Sequence, residues 1–428
     1  MQPVNKIRLL LFFTILNFLP ELSNSQKVTW FSTTTNERWK QNNAPKIENY
    51  SRKPLDNLIE FFPDERLQEW KGFGVNINEL GRKAFLLINE SKRGQLIRDL
   101  FDTTYGCRFS FLHFPIGSDA FSDFQYSLND NNGNFNMDGL NLNRDKKYII
   151  PFLKTALNLN KSVKFIGTVW SSPSWLKYNN GFSCILNPAC SVCRQKEIEY
   201  FSLNQLIAEP QYYTAFANYN TTLIKEYSNA GIPVSYLNIG SFPDTCTSYP
   251  GLLWSHEKYT HFIKDYLALS FYQQQITTKI CTGIFTIKQY EKYTGSLYES
   301  LPQLFTSLGG VLPENLNVPH DFGYFELETQ SGENTWEESF ATFGNISRAI
   351  KKRASFYIYR SLILSEDALN AYGQKNNSLI TVYNQSKEAY YNPDFYLIKH
   401  LSHFLKGESH IIKYQDNEGL TVAFQLHN

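Results

Sequence analysis

Two carboxylates, Glu326 and Glu328, stand where this chain is best placed to do chemistry. They follow Asp321-Phe322-Gly323-Tyr324-Phe325, a short apolar and aromatic run suited to a buried strand. The chain then breaks at Gly332 and enters a helix. Thr335 is its expected N-cap, with Glu338 three positions on as the capping-box partner. Residues two apart on a strand point to the same side, so the two acids share a face. A carboxylate at the C-terminal end of a strand, followed by a loop and a helix, sits where a β/α barrel keeps its chemistry. Taken alone, the stretch fits two solvated loop carboxylates equally well.

The rest of the chain supplies elements to hold such a site. From Trp70 onward, strand and helix patterns alternate. Strands are expected at 73–77, 109–114, 163–169, 234–239, 279–285, 323–327 and 356–364. Helices are expected at 92–101, 145–159, 255–272, near 297–308 and at 336–353. Another begins at Pro210 and closes at Gly231, and a last one runs from Asn392-Pro393 to Leu405. Repeated βα units imply a parallel sheet, and this many imply an α/β (β/α)₈ TIM barrel. One barrel strand is not legible, and 311–318 is the only room for it. Residues 26–69 read as strands of a β side domain. The segment 407–428 returns to strand and completes that domain in shortened form. The domain reading is therefore 1–25, 26–69, 70–406 and 407–428.

Composition excludes some functions. Formal charge is +1, from 41 Lys+Arg against 40 Asp+Glu, and no basic stripe points to nucleic acid. Lys6 and Arg8 precede an apolar run from Leu9 to Leu19, which is too short to span a bilayer. Pro20 ends that run, and Ser23 and Ser25 offer small residues before Gln26, the pattern of a secretory signal peptide. Later segments are not long and apolar enough to cross a membrane. Asn49, Asn89, Asn160, Asn220, Asn345, Asn376 and Asn384 each begin an N-glycosylation sequon. The six cysteines include a cluster from Cys184 to Cys193, expected to form one or two disulfides in an oxidising compartment. A zinc site there lacks a second ligand cluster.

Several motifs in one order resemble the glucosylceramidases of glycoside hydrolase family 30. They are Trp70-Lys-Gly-Phe-Gly, Phe114-Pro-Ile-Gly-Ser118, Tyr126-Ser127 and Arg144-Asp-Lys-Lys-Tyr-Ile-Ile-Pro151. Then come Trp170-Ser-Ser-Pro-Ser-Trp-Leu-Lys177, Gly231-Ile-Pro, Gly332-Glu-Asn-Thr-Trp336 and Asn392-Pro-Asp-Phe-Tyr-Leu-Ile-Lys-His-Leu-Ser-His-Phe404. The resemblance covers about residues 60 to 415. It implies a retaining β-glucosidase in sphingolipid metabolism, acting on glucosylceramide or related glycosides, secreted or lysosomal, with no cofactor and no metal. Peripheral contact with a membrane surface is left open. Such an enzyme needs two carboxylates about 5 Å apart, one a nucleophile and one an acid/base. By resemblance Glu326 is the nucleophile, Glu328 a second acid of the same loop, and Trp170 the aromatic lining the glucose subsite.

The sequence departs from the family at the site itself. The family's fourth strand ends in Asn-Glu-Pro, whose Glu is the acid/base. Here Leu237-Asn-Ile-Gly-Ser-Phe-Pro243 places Ser241 and Phe242 at those positions. A phenyl ring can neither donate nor accept a proton. Ala120 stands where the family has a sugar-binding Asp, with Asp119 one residue away. His113 replaces an Arg, and Arg360 stands where an aromatic meets the sugar. A guanidinium there is expected to pair with Glu326, the alternative being a swing to solvent. The expectation is a glycosidase with impaired turnover, the alternative a non-catalytic secreted relative that binds a glycan, lipid or protein.

Overall fold

The computed structural model describes residues 28–46, 58–184, 203–240, 242–243, 245–285, 290–302, 304–309, 322–325, 331–405, 409–416 and 421–426. The chain divides into two compact units, 1–54 and 55–428. In the first, β1 (Trp30–Ser32) and β2 (Lys40–Asn42) form an antiparallel hairpin. The second opens with β3 (Ile59–Trp70), twelve residues long and mostly exposed.

The centre of the second unit is a closed barrel of eight strands. In chain order they are β4 (Gly72–Asn76), β5 (Phe111–Ile116), β6 (Lys164–Val169), β7 (Val234–Ile239), β8 (Lys279–Phe285), β9 (Phe305–Gly309), β10 (Phe322–Phe325) and β11 (Ala354–Tyr359). Every neighbouring pair is parallel. The strands are short apolar runs because helices cover them outside and packed side chains fill them inside. Alternate residues point inward: Phe111, Ile166, Tyr236, Cys281, Phe325, Phe356 and Ile358 form one buried cluster. Phe111 and Phe356 stack there with centroids 4.5 Å apart.

The barrel strand that is not legible in the sequence is present, but not at 311–318. It lies at Phe305–Gly309, partly inside the helix expected near 297–308, while the helix itself is Tyr290–Ser300. A five-residue strand close behind a helix has too few residues to show its own period. Its pairing with β8 and β10 decides its state. The 311–318 segment lies outside the described residues. The strand expected to run to Leu364 ends at Tyr359. The chain then leaves the barrel as β12 (Ile363–Ser365), which joins β13 (Ile380–Val382) and β14 (Ala389–Tyr391) in a small sheet. Finally, β15 (Ser409–Asp416) pairs with both β3 and β16 (Phe424–Leu426).

Close packing inside the barrel depends on Gly323. A Cβ there would lie 2.0 Å from the Phe356 ring. Gly323→Ala therefore forces Phe356 out of its place against Phe111. The expected cost is about 1–3 kcal/mol, read as a lower urea midpoint with an unchanged slope.

Candidate active site

The C-terminal ends of the barrel strands carry a layer of polar side chains. Asn76 ends β4, His113 lies in β5, Thr168 in β6 and Asn238 in β7, and all four are buried. Asn76 Nδ2 lies 2.6 Å from His113 Nδ1, and His113 Nε2 lies 2.6 Å from Thr168 Oγ1. Asn78 Nδ2 donates to Asn76 Oδ1 at 3.3 Å, which fixes the Asn76 amide as the donor to His113. The imidazole then accepts at Nδ1 and donates from Nε2 to Thr168. Burial, followed by the nearby Arg360 charge, pushes His113 down to about 3. It is a neutral strut, set edge-on to Phe325 at 4.7 Å.

Phe325 is the last described residue of β10, and Glu326 follows it in the chain. Glu326 and Glu328 both lie outside the described residues. The chain on the far side of them is firmly tied. Gly332 N donates to Asn377 Oδ1 at 2.7 Å. The expected capping box is present: Glu338 N donates to Thr335 Oγ1 at 3.3 Å, and Thr335 N to Glu338 Oε2 at 3.1 Å. The described chain resumes at Ser331 and leads into the capped helix Trp336–Lys351.

The loops after β6 and β7 bring an aromatic group over this layer. Trp170 follows β6 directly and is buried. Its ring lies 6.4 Å from Phe242 and 5.8 Å from Tyr249. Phe242 also meets Tyr249 at 6.3 Å and packs against the inward cluster of the barrel. It holds a left-handed backbone, with φ +52°. Tyr249 in turn meets Tyr372 at 6.0 Å, and Gln125 Nε2 donates to the Tyr372 hydroxyl at 2.9 Å. The Trp170 indole N–H and Asn238 Oδ1 are buried without a hydrogen-bond partner among the described residues.

The loop after β5 holds the described carboxylate of this region. Ala120 is buried against Phe121 and Leu364 and offers no polar atom. Its neighbour Asp119 is also buried and accepts from Phe121 N at 2.9 Å and Ser122 Oγ at 3.1 Å. Burial raises Asp119 to about 6, against the lowering effect of those hydrogen bonds and of Arg360. Arg360, one residue beyond β11, lies over the Phe121 ring at 5.2 Å. Its charge acts to lower the pKa values of His113, Asp119 and Tyr249. The pairing of Arg360 with Glu326 lies outside the described residues.

A residue the sequence reading did not single out holds these loops together. Lys177 is buried, and its Nζ donates to Ser171 Oγ at 2.8 Å, Asn204 Oδ1 at 2.8 Å and the Gly251 carbonyl at 3.1 Å. Burial lowers its pKa to about 7. In sequence it looks like any solvated lysine, because nothing local marks the three acceptors that gather on it.

Other expectations are corrected. Cys184 is a buried free thiol that accepts from Asn204 Nδ2 at 3.3 Å, so it takes no part in the one or two disulfides expected of its cluster. Cys190 and Cys193 lie outside the described residues. Of the sequons, Asn89 and Asn384 are exposed. Asn160, Asn220, Asn345 and Asn376 are buried. Asn160 Nδ2 donates to Phe109 O, Asn220 Nδ2 to Phe216 O, and Asn376 Nδ2 to Gln374 O. A glycan on any of those three amides would break that bond, and none of the four buried sites leaves room for one. Asn49 lies outside the described residues.

A closed parallel barrel with buried polar groups and aromatics gathered at the C-terminal end of its strands belongs to the TIM-barrel class of enzyme scaffolds. Residues 70–264 match the Glycosyl hydrolase family 30 TIM-barrel domain. Putative glucosylceramidase 1 of Caenorhabditis elegans is 22% identical over 373 residues, 80% of this chain and 68% of its own length. Endo-1,6-beta-D-glucanase BGN16.3 of Trichoderma harzianum is 27% identical over 217 residues, 50% of this chain and 42% of its own length. The mouse lysosomal acid glucosylceramidase is 26% identical over 149 residues, 34% of this chain and 29% of its own. The chain thus spans less than half the length of the last two. Among solved structures, SrfJ from Salmonella typhimurium superposes with a TM-score of 0.72 at 19% identity, covering 91% of this chain and 86% of that one. No helix among the described residues is long and apolar enough to cross a membrane.

Proposed function

We propose that the barrel mouth binds a β-glucoside, glucosylceramide or a related glycoside, and hydrolyses it slowly. The observation that carries the reading is the Phe242 ring, lodged against Trp170 and Tyr249 at the position where the resemblance calls for the acid/base. The aromatic faces suit a sugar ring, whose C–H groups pack on them. The unpartnered Trp170 N–H suits a sugar hydroxyl as acceptor. Glu326 is the proposed nucleophile, next in chain to a buried β10 residue, and Glu328 a second acid of its loop. With a phenyl ring at the other position, the leaving oxygen receives no proton and water is not activated. The relatives' printed names include both glucosylceramidases and endo-1,6-β-glucanases, so a β-1,6-linked glucan oligosaccharide is the second substrate class to assay. Passage through the secretory pathway, to the exterior or the lysosome, belongs to the same reading.

The test is covalent trapping. A dinitrophenyl 2-fluoroglucoside has a leaving group that needs no proton, so the protein gains the mass of one fluoroglucosyl group. Glu326→Gln gains none. Glucose-competed binding without any label, in protein that is otherwise folded, overturns the catalytic reading in favour of a non-catalytic binder.

A further inference from the structure

We propose that a cavity at the opposite end of the barrel from the mouth binds a single-chain amphiphile with an oxyanion head. The cavity holds about 430 Å³ and is lined by Arg66, Leu67, Gln68, Ile350, Lys351, Arg353, Ile411 and Tyr414. That volume lies within the range of small-molecule sites. It sits where β3 approaches the barrel and where the helix Trp336–Lys351 turns into β11. Both places are at the start of parallel strands, away from Trp170 and Phe242.

The walls divide into two chemistries. Arg66, Lys351 and Arg353 bring three cations, and the lining has no carboxylate. Leu67, Ile350 and Ile411 bring branched aliphatic surface. Ile350 and Ile411 are buried, while Leu67 is 54% exposed and leaves apolar area uncovered.

Local structure does not use up these charges. Basic residues at a helix C-terminus often serve its free carbonyls. Here the Ile350 carbonyl already accepts from Gln68 Nε2 at 2.7 Å and from Arg353 N at 2.9 Å. Arg66 gives Nε to Gln425 Oε1 at 2.8 Å, which leaves its terminal nitrogens available. Glu65, its chain neighbour, is taken by Lys413 at 2.7 Å. No ion pair among the described residues neutralises Arg66, Lys351 or Arg353. The whole chain carries only +1, so three unopposed cations around one concavity are a local feature. An oxyanion answers them with charge-assisted hydrogen bonds. An alkyl chain on that oxyanion covers Leu67 and Ile350.

Octyl phosphate, inorganic phosphate and octanol are the probes, titrated by calorimetry below the micellar concentration. Octyl phosphate is expected to bind at least about tenfold more tightly than either of the others, since each of those meets only one half of the site. The double variant Lys351→Gln/Arg353→Gln is expected to weaken octyl phosphate by about tenfold or more, with an unchanged melting temperature. Leu67→Asp should weaken it independently of the two cations. Equal affinity for phosphate and octyl phosphate overturns the apolar half. Equal affinity for octanol overturns the cationic half. Octyl phosphate binding that survives both variants places the ligand elsewhere and overturns the site.

Discussion

Phe242→Glu raises hydrolysis of alkyl β-glucosides by about 10²–10⁴. An alkoxide is a poor leaving group, so its departure depends on proton donation. A dinitrophenolate departs without a proton, and its release from the same variant should change far less. The replacement carboxyl would sit beside Trp170 and Tyr249, against the inward aromatic cluster of the barrel. Such surroundings disfavour the charged form and raise a carboxyl's pKa, as a general acid near neutral pH requires. The same group, once deprotonated, activates water against the glycosyl-enzyme. Azide offers a second readout. It should speed turnover of dinitrophenyl glucoside by the natural protein, where base assistance is lacking, and should do little for the variant. Rates on alkyl glucosides that stay flat in folded Phe242→Glu protein, while Glu326→Gln abolishes a robust activity of the natural chain, would show that the acid/base lies at another residue.

How much of this was legible in the sequence depends on distance along the chain. The strand before Glu326 and the capping box at Thr335 and Glu338 are local patterns, and both are present as read. The barrel was legible because repeated βα units are local too. The five-residue β9 was not, since its state is set by neighbours on either side rather than by a period of its own. Asn220 could have been recognised as interior: it sits one residue after Tyr219 and four before Ile224, inside the buried face of helix Pro210–Asn229. Asp119 reads as a turn residue beside Ala120, and only burial near Arg360 marks it. The contacts that make the mouth, Trp170 with Phe242 and Tyr249, join two loops about 70 residues apart, which no spacing rule reaches.

Lys177 gives the second large effect, on stability against pH. A buried lysine without a carboxylate partner pays for its charge in lost hydration. Ser171 Oγ, Asn204 Oδ1 and the Gly251 carbonyl match the three N–H groups of the ammonium, but all three are neutral. The one ionisable neighbour whose charge bears on it is the Cys184 thiol. The folded pKa is therefore about 7, against 10.5 for a free lysine. Between those values the unfolded chain holds the proton more tightly than the folded one, so stability rises with pH across that window. The penalty is complete below about pH 7. Buried Tyr259 and Cys281, whose pKa values are raised, act oppositely once the pH passes the unfolded values near 9–10. The comparison is therefore made between pH 7 and 8.5, against Lys177→Met, which cannot titrate. Over that interval the natural protein should gain about 2 kcal/mol relative to the variant in denaturant melts. The orphaned acceptors of the variant cost the same at both pH values and cancel. Parallel curves would mean that Lys177 keeps an ordinary pKa in the fold, with water reaching its amine. Because Ser171 adjoins Trp170, Lys177→Met should also loosen the aromatic group of the mouth, read as slower trapping by the fluoroglucoside at either pH.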